Sequence, residues 1–309
     1  RRNLVPGRAQ LAGARAVEVV DSIGRGVRMK HGVWAMNYPA VRTVSEVVEF
    51  AAVAEQAGWD GVFVSDSITD GTADPWVTLG AIAARTERIT LGTWISAPAT
   101  YQPWRLALAA ASLDQLSDGR VMLGVGLGID SDFGQFGDDA PPRERARRYD
   151  EALEVIKLLW TGEPVNFAGE FFRLDDVVLP VVPRQQPRIP TVIAGWWPNK
   201  QPFRRASRWD GTMPYWPALV GADDGPDDPA SNGTTDGELR DLMAFCREVS
   251  DELGEVVLPR PERDDDAYRS LAQEVGATWL LTTYRMDLDE LRAGPPVGVV
   301  VPHEDSPGA

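Results

Sequence analysis

The sequence predicts a single (β/α)8 TIM barrel, an α/β fold, on three observations. Past residue 30, eight strand-like segments alternate with segments of helical period. The alternation runs for roughly 270 residues, a length typical of such a barrel. No glycine fingerprint follows the first strand, which exits through "AMNYPAV", so a doubly wound open sheet is the weaker alternative.

The elements follow in order. Residues 31–37 read as the first strand. The helix after it places Val44, Val47, Val48, Ala51 and Ala54 on one face, opens on a Thr43/Glu46 capping box and closes at Gly58. A second strand spans 61–66, and its helix opens at Pro75. The third strand, "ITLGTWISAP" (89–98), carries a Trp just before Ser-Ala-Pro, which ends the ladder and turns the chain away. "PWRLALAAASLDQLSDG" is its helix. The fourth strand, 120–126, passes through a Gly/Asp-rich loop into "RERARRYDEALEVIKLLWTG". "VNFAGEFFRLDDVVLPVVP" reads as an inserted hairpin. Strands at 190–195, 210–216, 255–259 and 277–284 complete the eight, and the last helix, "DLDELRAG", is short.

Residues 1–28 are rich in Arg, Gly and Ala and show no period. They are expected to be a disordered extension, a cloning-derived or upstream-translated segment before a start at Met29. Residues 29–309 then form the barrel domain. The formal charge of −15 disfavours nucleic acid and anionic membranes as partners. No apolar run reaches the ~18 residues of a membrane span. A single cysteine, Cys246, forbids an internal disulfide and fits a reducing cytoplasm.

Barrel chemistry sits at the C-terminal ends of the strands. Those ends are Asn37, Asp66 and Ser67, Trp94 to Ala97, Gly126 to Asp130, Ala194 to Trp197, Met213 to Trp216, Pro259 and Arg260, and Thr282 to Tyr284. The two histidines, His31 and His303, lie elsewhere, which excludes a Ser-His-Asp triad and leaves no metal site expected. A glycosidase would need two rim carboxylates; Asp66, Asp130 and Asp132 are the candidates, but no Glu joins them. Instead the rim offers aromatic rings and the glycines Gly124, Gly126, Gly128 and Gly195. That composition suits a flat, largely apolar ring system; packing of the rings against overlying loops is the alternative.

The stretch "LGTWISAP…PWRLALAAASLDQLSDGRVMLGVGLG" resembles the bacterial luciferase-like, flavin-dependent oxidoreductases. "EQAGWDGVFVSD", "ARRYDEALEVIKLLWTG", "FAGEFFRL", "IPTVIAG" and "GATWLL…LRAGPP" extend the likeness over about residues 30–298, in family order. The resemblance implies the same barrel, with reduced FMN or the deazaflavin coenzyme F420 at its mouth. It also implies a non-proline cis peptide at Trp94–Ile95 or one residue on, under the isoalloxazine ring. Trp94, Ile95, Ser96, Ala97, Gly126, Gly128, Ala194, Gly195 and Trp196 become the expected cofactor contacts. Arg148 and Tyr149 match a polar pair that faces the site, and with Asp66 they are the catalytic candidates. Solvated pairing of Arg145 and Arg148 with Glu144 or Glu151 is the competing reading.

Two positions depart from the family's deazaflavin-dependent sugar-phosphate dehydrogenases. Ser67 stands where those enzymes place His, and Ile129 where they place Glu. The expectation is therefore a monooxygenase of a small organic substrate, using reduced FMN and dioxygen and fed by a separate flavin reductase. Deazaflavin-dependent hydride transfer and a non-catalytic flavin-binding module are the alternatives. The sequence leaves the oligomeric state open, with a homodimer the assembly the resemblance implies; the segment 217–237, rich in Gly, Pro, Asn and Asp, reads as a lid, with an idle acidic loop as the alternative.

Overall fold

Short, β-branched and apolar strands buried on both faces make a parallel sheet, and helices cover its outside. The computed structural model describes residues 28–35, 43–69, 73–215, 235–250, 254–260, 266–282 and 288–296. Most of the N-terminal segment, Asn37, Trp216, Tyr284, His303 and nearly all of the expected lid lie outside the described residues.

Strands β1 (Lys30–Ala35), β2 (Gly61–Val64), β3 (Thr90–Thr93) and β4 (Val121–Val125) form one half of the ring. The other half is β7 (Thr191–Trp196), β8 (Gly211–Tyr215), β9 (Glu255–Arg260) and β10 (Trp279–Thr282). All eight are parallel and close in the order β1-β10-β9-β8-β7-β4-β3-β2, which is the predicted barrel. β5 (Val165–Ala168) and β6 (Arg173–Val177) pair antiparallel as the inserted hairpin. Its turn is fastened by Glu151, whose carboxylate accepts from the backbone N–H of Glu170, Phe171 and Phe172 at 2.7–3.1 Å.

The helices start and stop where local chemistry dictates. The Thr43/Glu46 box opens α1 (Val44–Gln56), and Gly58 beyond it takes φ +90°. Asp74 caps α2 (Pro75–Arg85) through the Val77 N–H at 2.8 Å. α3 (Pro103–Leu116) and α5 (Pro142–Leu159) both begin on proline. Between β4 and α5 the expected loop contains one helical turn, α4 (Ser131–Gly134), too brief to show a period. α6 (Gln201–Ala206), α7 (Thr235–Val249), α8 (Asp266–Glu274) and α9 (Leu288–Arg292) complete the described shell. None of the described helices is long and apolar enough to cross a membrane.

Alternation sends Phe63, Trp94, Met122, Met213, Val257, Trp279 and Leu281 into the barrel interior as one apolar cluster. Leu91, Leu123, Val125 and Ile193 face outward, into the larger core beneath the helices. Phe63 fits only because its neighbours are small: a Cβ on Gly92 would stand 2.4 Å from the Phe63 ring, and one on Gly61 3.0 Å from it. Here the sequence's strand glycines make room for an aromatic filling.

Candidate active site

The exits of β2, β3, β4, β7 and β8 build the C-terminal mouth. Trp94 is its floor. Its indole is buried, edge-on to Phe63 (6.4 Å) and Tyr215 (5.3 Å) and 6.4 Å from Trp34. Tyr215 in turn meets Trp196 at 5.4 Å, and Trp196 is 53% exposed. The rings thus climb from the barrel axis to solvent. Trp34 satisfies its indole N–H on the Ser65 hydroxyl at 2.9 Å. The sequence reading omitted Trp34, although its place two residues after the inward Gly32 gives it the same face. Trp197, expected at the mouth, packs instead against Phe203 and Phe245 outside the barrel. Successive strand residues face opposite ways, so of this Trp pair only Trp196 joins the Tyr215 stack.

The Trp94–Ile95 peptide is cis, at the position the resemblance implied. The chain does not then turn away at Ser96, as expected. Ser96 pairs again with β4: its N–H donates to Gly124 O, and Gly126 N–H donates to Ser96 O, both at 2.9 Å. The segment is a bulge between two stretches of ladder, and the turn comes at Pro98–Thr100. Ser96 is fully buried, its hydroxyl acting on the Asp66 carboxylate, and Ala97 is buried beside it.

The glycines receive the chain's own side chains. A Cβ on Gly126 would lie 2.1 Å from Ile95 Cδ1 and 3.5 Å from the buried Ala194. Gly128, at φ +80°, lies under Ala97. Gly195 gives room to Pro202 of α6.

Asp66 follows β2 and points at Tyr101, whose hydroxyl donates to both carboxylate oxygens at 2.8 and 2.9 Å. Trp76 Nε1 donates to that same hydroxyl at 3.2 Å. Burial pushes the Asp66 carboxyl up to about 6, against the opposing pull of the Ser96 and Tyr101 hydroxyls. Burial and the nearby Asp66 charge raise Tyr101 in turn, so it stays a neutral donor. Tyr101 and Trp76 were not singled out from sequence, because their link to Asp66 is purely spatial. Beside them, Asp132 accepts from the Ser67 and Thr69 hydroxyls at 2.9 and 2.8 Å, tying the β2 exit to α4.

The other two catalytic candidates stand apart. Arg148 pairs with Asp138, and Arg145 with Asp130, both guanidiniums lying over the Phe133 ring. Pairing with Glu144 or Glu151 is not seen, since Glu151 is committed to the hairpin turn. Tyr149 is buried in the core between strands and helices, with the Arg205 guanidinium 4.6 Å from its ring. Neither side chain belongs to the aromatic group around Trp94.

A family model described as luciferase-like monooxygenase matches residues 25–214, more than half of the chain. The chain belongs to the luciferase-like monooxygenase family. Among luciferase-like relatives, the F420-dependent glucose-6-phosphate dehydrogenase of Nakamurella multipartita is 39% identical over 145 residues, 44% of this chain and 42% of that protein. The F420-dependent hydroxymycolic acid dehydrogenase of Mycobacterium tuberculosis is 33% identical over 198 residues, covering 56% of this chain and 53% of its own. The chain spans about half the length of the curated relatives it matches. Among solved structures, an F420-dependent secondary alcohol dehydrogenase in complex with an F420-acetone adduct superposes with TM-score 0.61 at 23% identity, over 75% of this chain and 69% of that one. The monooxygenase RslO1 from Streptomyces bottropensis gives 0.62 at 22%, over 80% and 75%. At these identities the likeness carries the luciferase-like fold.

Proposed function

We propose that the chain is an F420-dependent oxidoreductase, in which Asp66 handles the proton that accompanies hydride transfer to or from a small organic substrate. One observation carries the reading: a half-buried carboxyl, pushed up to about 6 and held by the Tyr101 hydroxyl, at the edge of an aromatic barrel mouth. The relatives named as F420-dependent support the coenzyme. The FMN monooxygenase reading, preferred from the missing His and Glu, gives way on both counts. Asp66 is a candidate for the proton-transfer role that Ser67 and Ile129 cannot fill.

The aromatic lining of the mouth supports a flat-ring guest. Trp94, Ile95 and the exposed Trp196 would hold it by apolar contact, through the stack of rings that runs from Trp94 by Tyr215 to Trp196. When bound, the deazaflavin supplies a hydride acceptor or donor. The chain's own residues do the rest. Trp34, Trp94 and Tyr215 exclude water from the floor. Tyr101 orients the Asp66 carboxylate, and Asp66 takes the proton from a substrate hydroxyl or returns one to a carbonyl.

Anaerobic titration with reduced F420 and reduced FMN, read by quenching of Trp fluorescence, tests the coenzyme. Saturable quenching by F420 with weaker binding of FMN is expected. Preference for FMN, with oxygen consumed once a reductase is supplied, would overturn the reading. The proton role has its own signature: alcohol oxidation requires ionised Asp66, so kcat/KM rises with pH through about 6. Asp66→Asn removes that limb and lowers the rate on the order of 10²–10⁴-fold.

A further inference from the structure

We infer that this site takes an apolar alcohol or ketone, a molecule with one oxygen and a hydrocarbon body, and not a sugar phosphate. The inference rests on the hydride-transfer reading and adds the substrate class. In barrel order, β2, β3, β4 and β7 are consecutive. The segments leaving three of them each hold a large apolar side chain in solvent: Ile68 after β2 (73% exposed), Ile129 after β4 (46%) and Trp196 ending β7 (53%). The first two share one rim. The residues flanking Ile68, Ser67 and Thr69, both bond to Asp132, and Thr69 Oγ1 lies 2.9 Å from Ser131 Oγ. Asp132 N–H donates to Ile129 O, so Ile129 closes the same turn.

A core residue would be buried here, and a solvated rim would be polar; exposed apolar side chains on the strand exits beside Asp66 mark a surface kept for an apolar guest. The guest's polar end is also defined. Asp66 is a half-buried carboxyl among these exits, and it asks for one hydroxyl or carbonyl. A phosphate finds the guanidiniums of the adjoining segment each paired with a carboxylate through one terminal nitrogen, Arg145 with Asp130 and Arg148 with Asp138, while their unpaired Nε atoms are buried away from solvent. The chain's charge of −15 adds a repulsive field.

The test uses the full chain. Tryptophan quenching by F420 is measured first. A series of secondary alcohols from 2-propanol to 2-decanol is then compared with glucose 6-phosphate as substrate. KM is expected to fall about threefold to fourfold per added methylene over the first several carbons, as burial of each predicts. Ile68→Glu and Ile129→Glu should flatten that dependence while leaving F420 quenching unchanged. A readout independent of turnover is saturation-transfer NMR of 2-decanone on the coenzyme-free protein, whose signal should drop in both variants. F420 binding with turnover of glucose 6-phosphate and none of the alcohols overturns the substrate class and leaves the hydride reading standing. Absence of F420 binding overturns the hydride reading, and the NMR signal then decides the apolar site separately. If Ile68→Glu splits an oligomer on gel filtration while the alcohol series and NMR are unchanged, the patch is an interface between copies and the inference falls.

Discussion

A carboxyl held near pH 6 inside a protein is a stability cost at neutral pH, and Asp66 can be weighed on that basis. Its folded value lies above the ordinary 3.8, so between those two values the folded chain binds more protons than the unfolded one. Stability therefore falls as pH rises through that window. Asp66→Asn keeps an acceptor for Tyr101 and removes the half-buried charge. It is expected to stabilise the protein by roughly 2–3 kcal/mol at pH 8, with the gain vanishing near pH 4. Urea unfolding of both proteins at the two pH values checks this; an equal gap at both would remove that charge as its cause. Tyr101→Phe acts oppositely on the same group. Losing the hydroxyl that favours the carboxylate should move the rising limb of kcat/KM to higher pH. At this scale the sequence was informative where position along a strand sets exposure, as for Asp66 and Trp94. It was silent on Tyr101, whose partner lies 35 residues away, and it placed Arg148 and Tyr149 by likeness alone. Their actual partners, Asp138 and the Arg205 guanidinium, come from other turns and helices, which no local pattern encodes.

Between elements, single carboxylates fasten backbone that no ladder reaches. Glu55, at the end of α1, accepts from the N–H groups of Glu87, Arg88 and Ile89 at 2.6–3.1 Å, where the chain leaves α2 and enters β3. Burial alone would raise its carboxyl, but the backbone donors at Arg88, Ile89 and Glu87 together hold it below the ordinary range. A depressed value means stability that is present above the unfolded value of 4.5 and lost as pH falls through the folded one. Glu55→Ala should cost on the order of 2–4 kcal/mol at pH 7, as charge-assisted hydrogen bonds to three donors are lost. Thermal unfolding should show the gap between variant and parent narrowing toward pH 4. Elements with an internal period were readable: the eight strands, the capped helices and the hairpin. The α4 turn and the re-pairing at Ser96 were not. One is shorter than any period, and the other depends on Gly124 and Gly126 presenting backbone from a different strand.

A closed ring has no free edge, so a defect in one strand is felt by the whole molecule. The barrel closes through β1 and β10, with Lys30 paired in register to Trp279. Its cross-section is set by what fills it. Phe63 and Trp279 meet edge-to-face at 5.8 Å, and Gly32, Gly61 and Gly92 leave the space those rings occupy. Eight alternating segments were enough to predict the ring, but not this filling, because a glycine in a strand reads as a weakness until the ring opposite it is known. Gly92→Ala would put a methyl 2.4 Å from the Phe63 ring and 2.9 Å from Met122 O. The ring cannot turn aside, since Gly32 and Gly61 already bring their strands against it. Such overpacking should cost on the order of 3 kcal/mol, and at this chain length that lowers Tm by roughly 5 °C. Because the strands are linked in one circuit, the loss should appear as a single shifted transition, coincident by far-UV circular dichroism and Trp fluorescence. Phe63→Leu in the same chain removes the clashing edge, so the double variant should be more stable than the two single costs sum to. Separate transitions by the two probes, or simple additivity, would mean that the barrel yields locally at β3 and that its interior is not a shared, tightly filled volume.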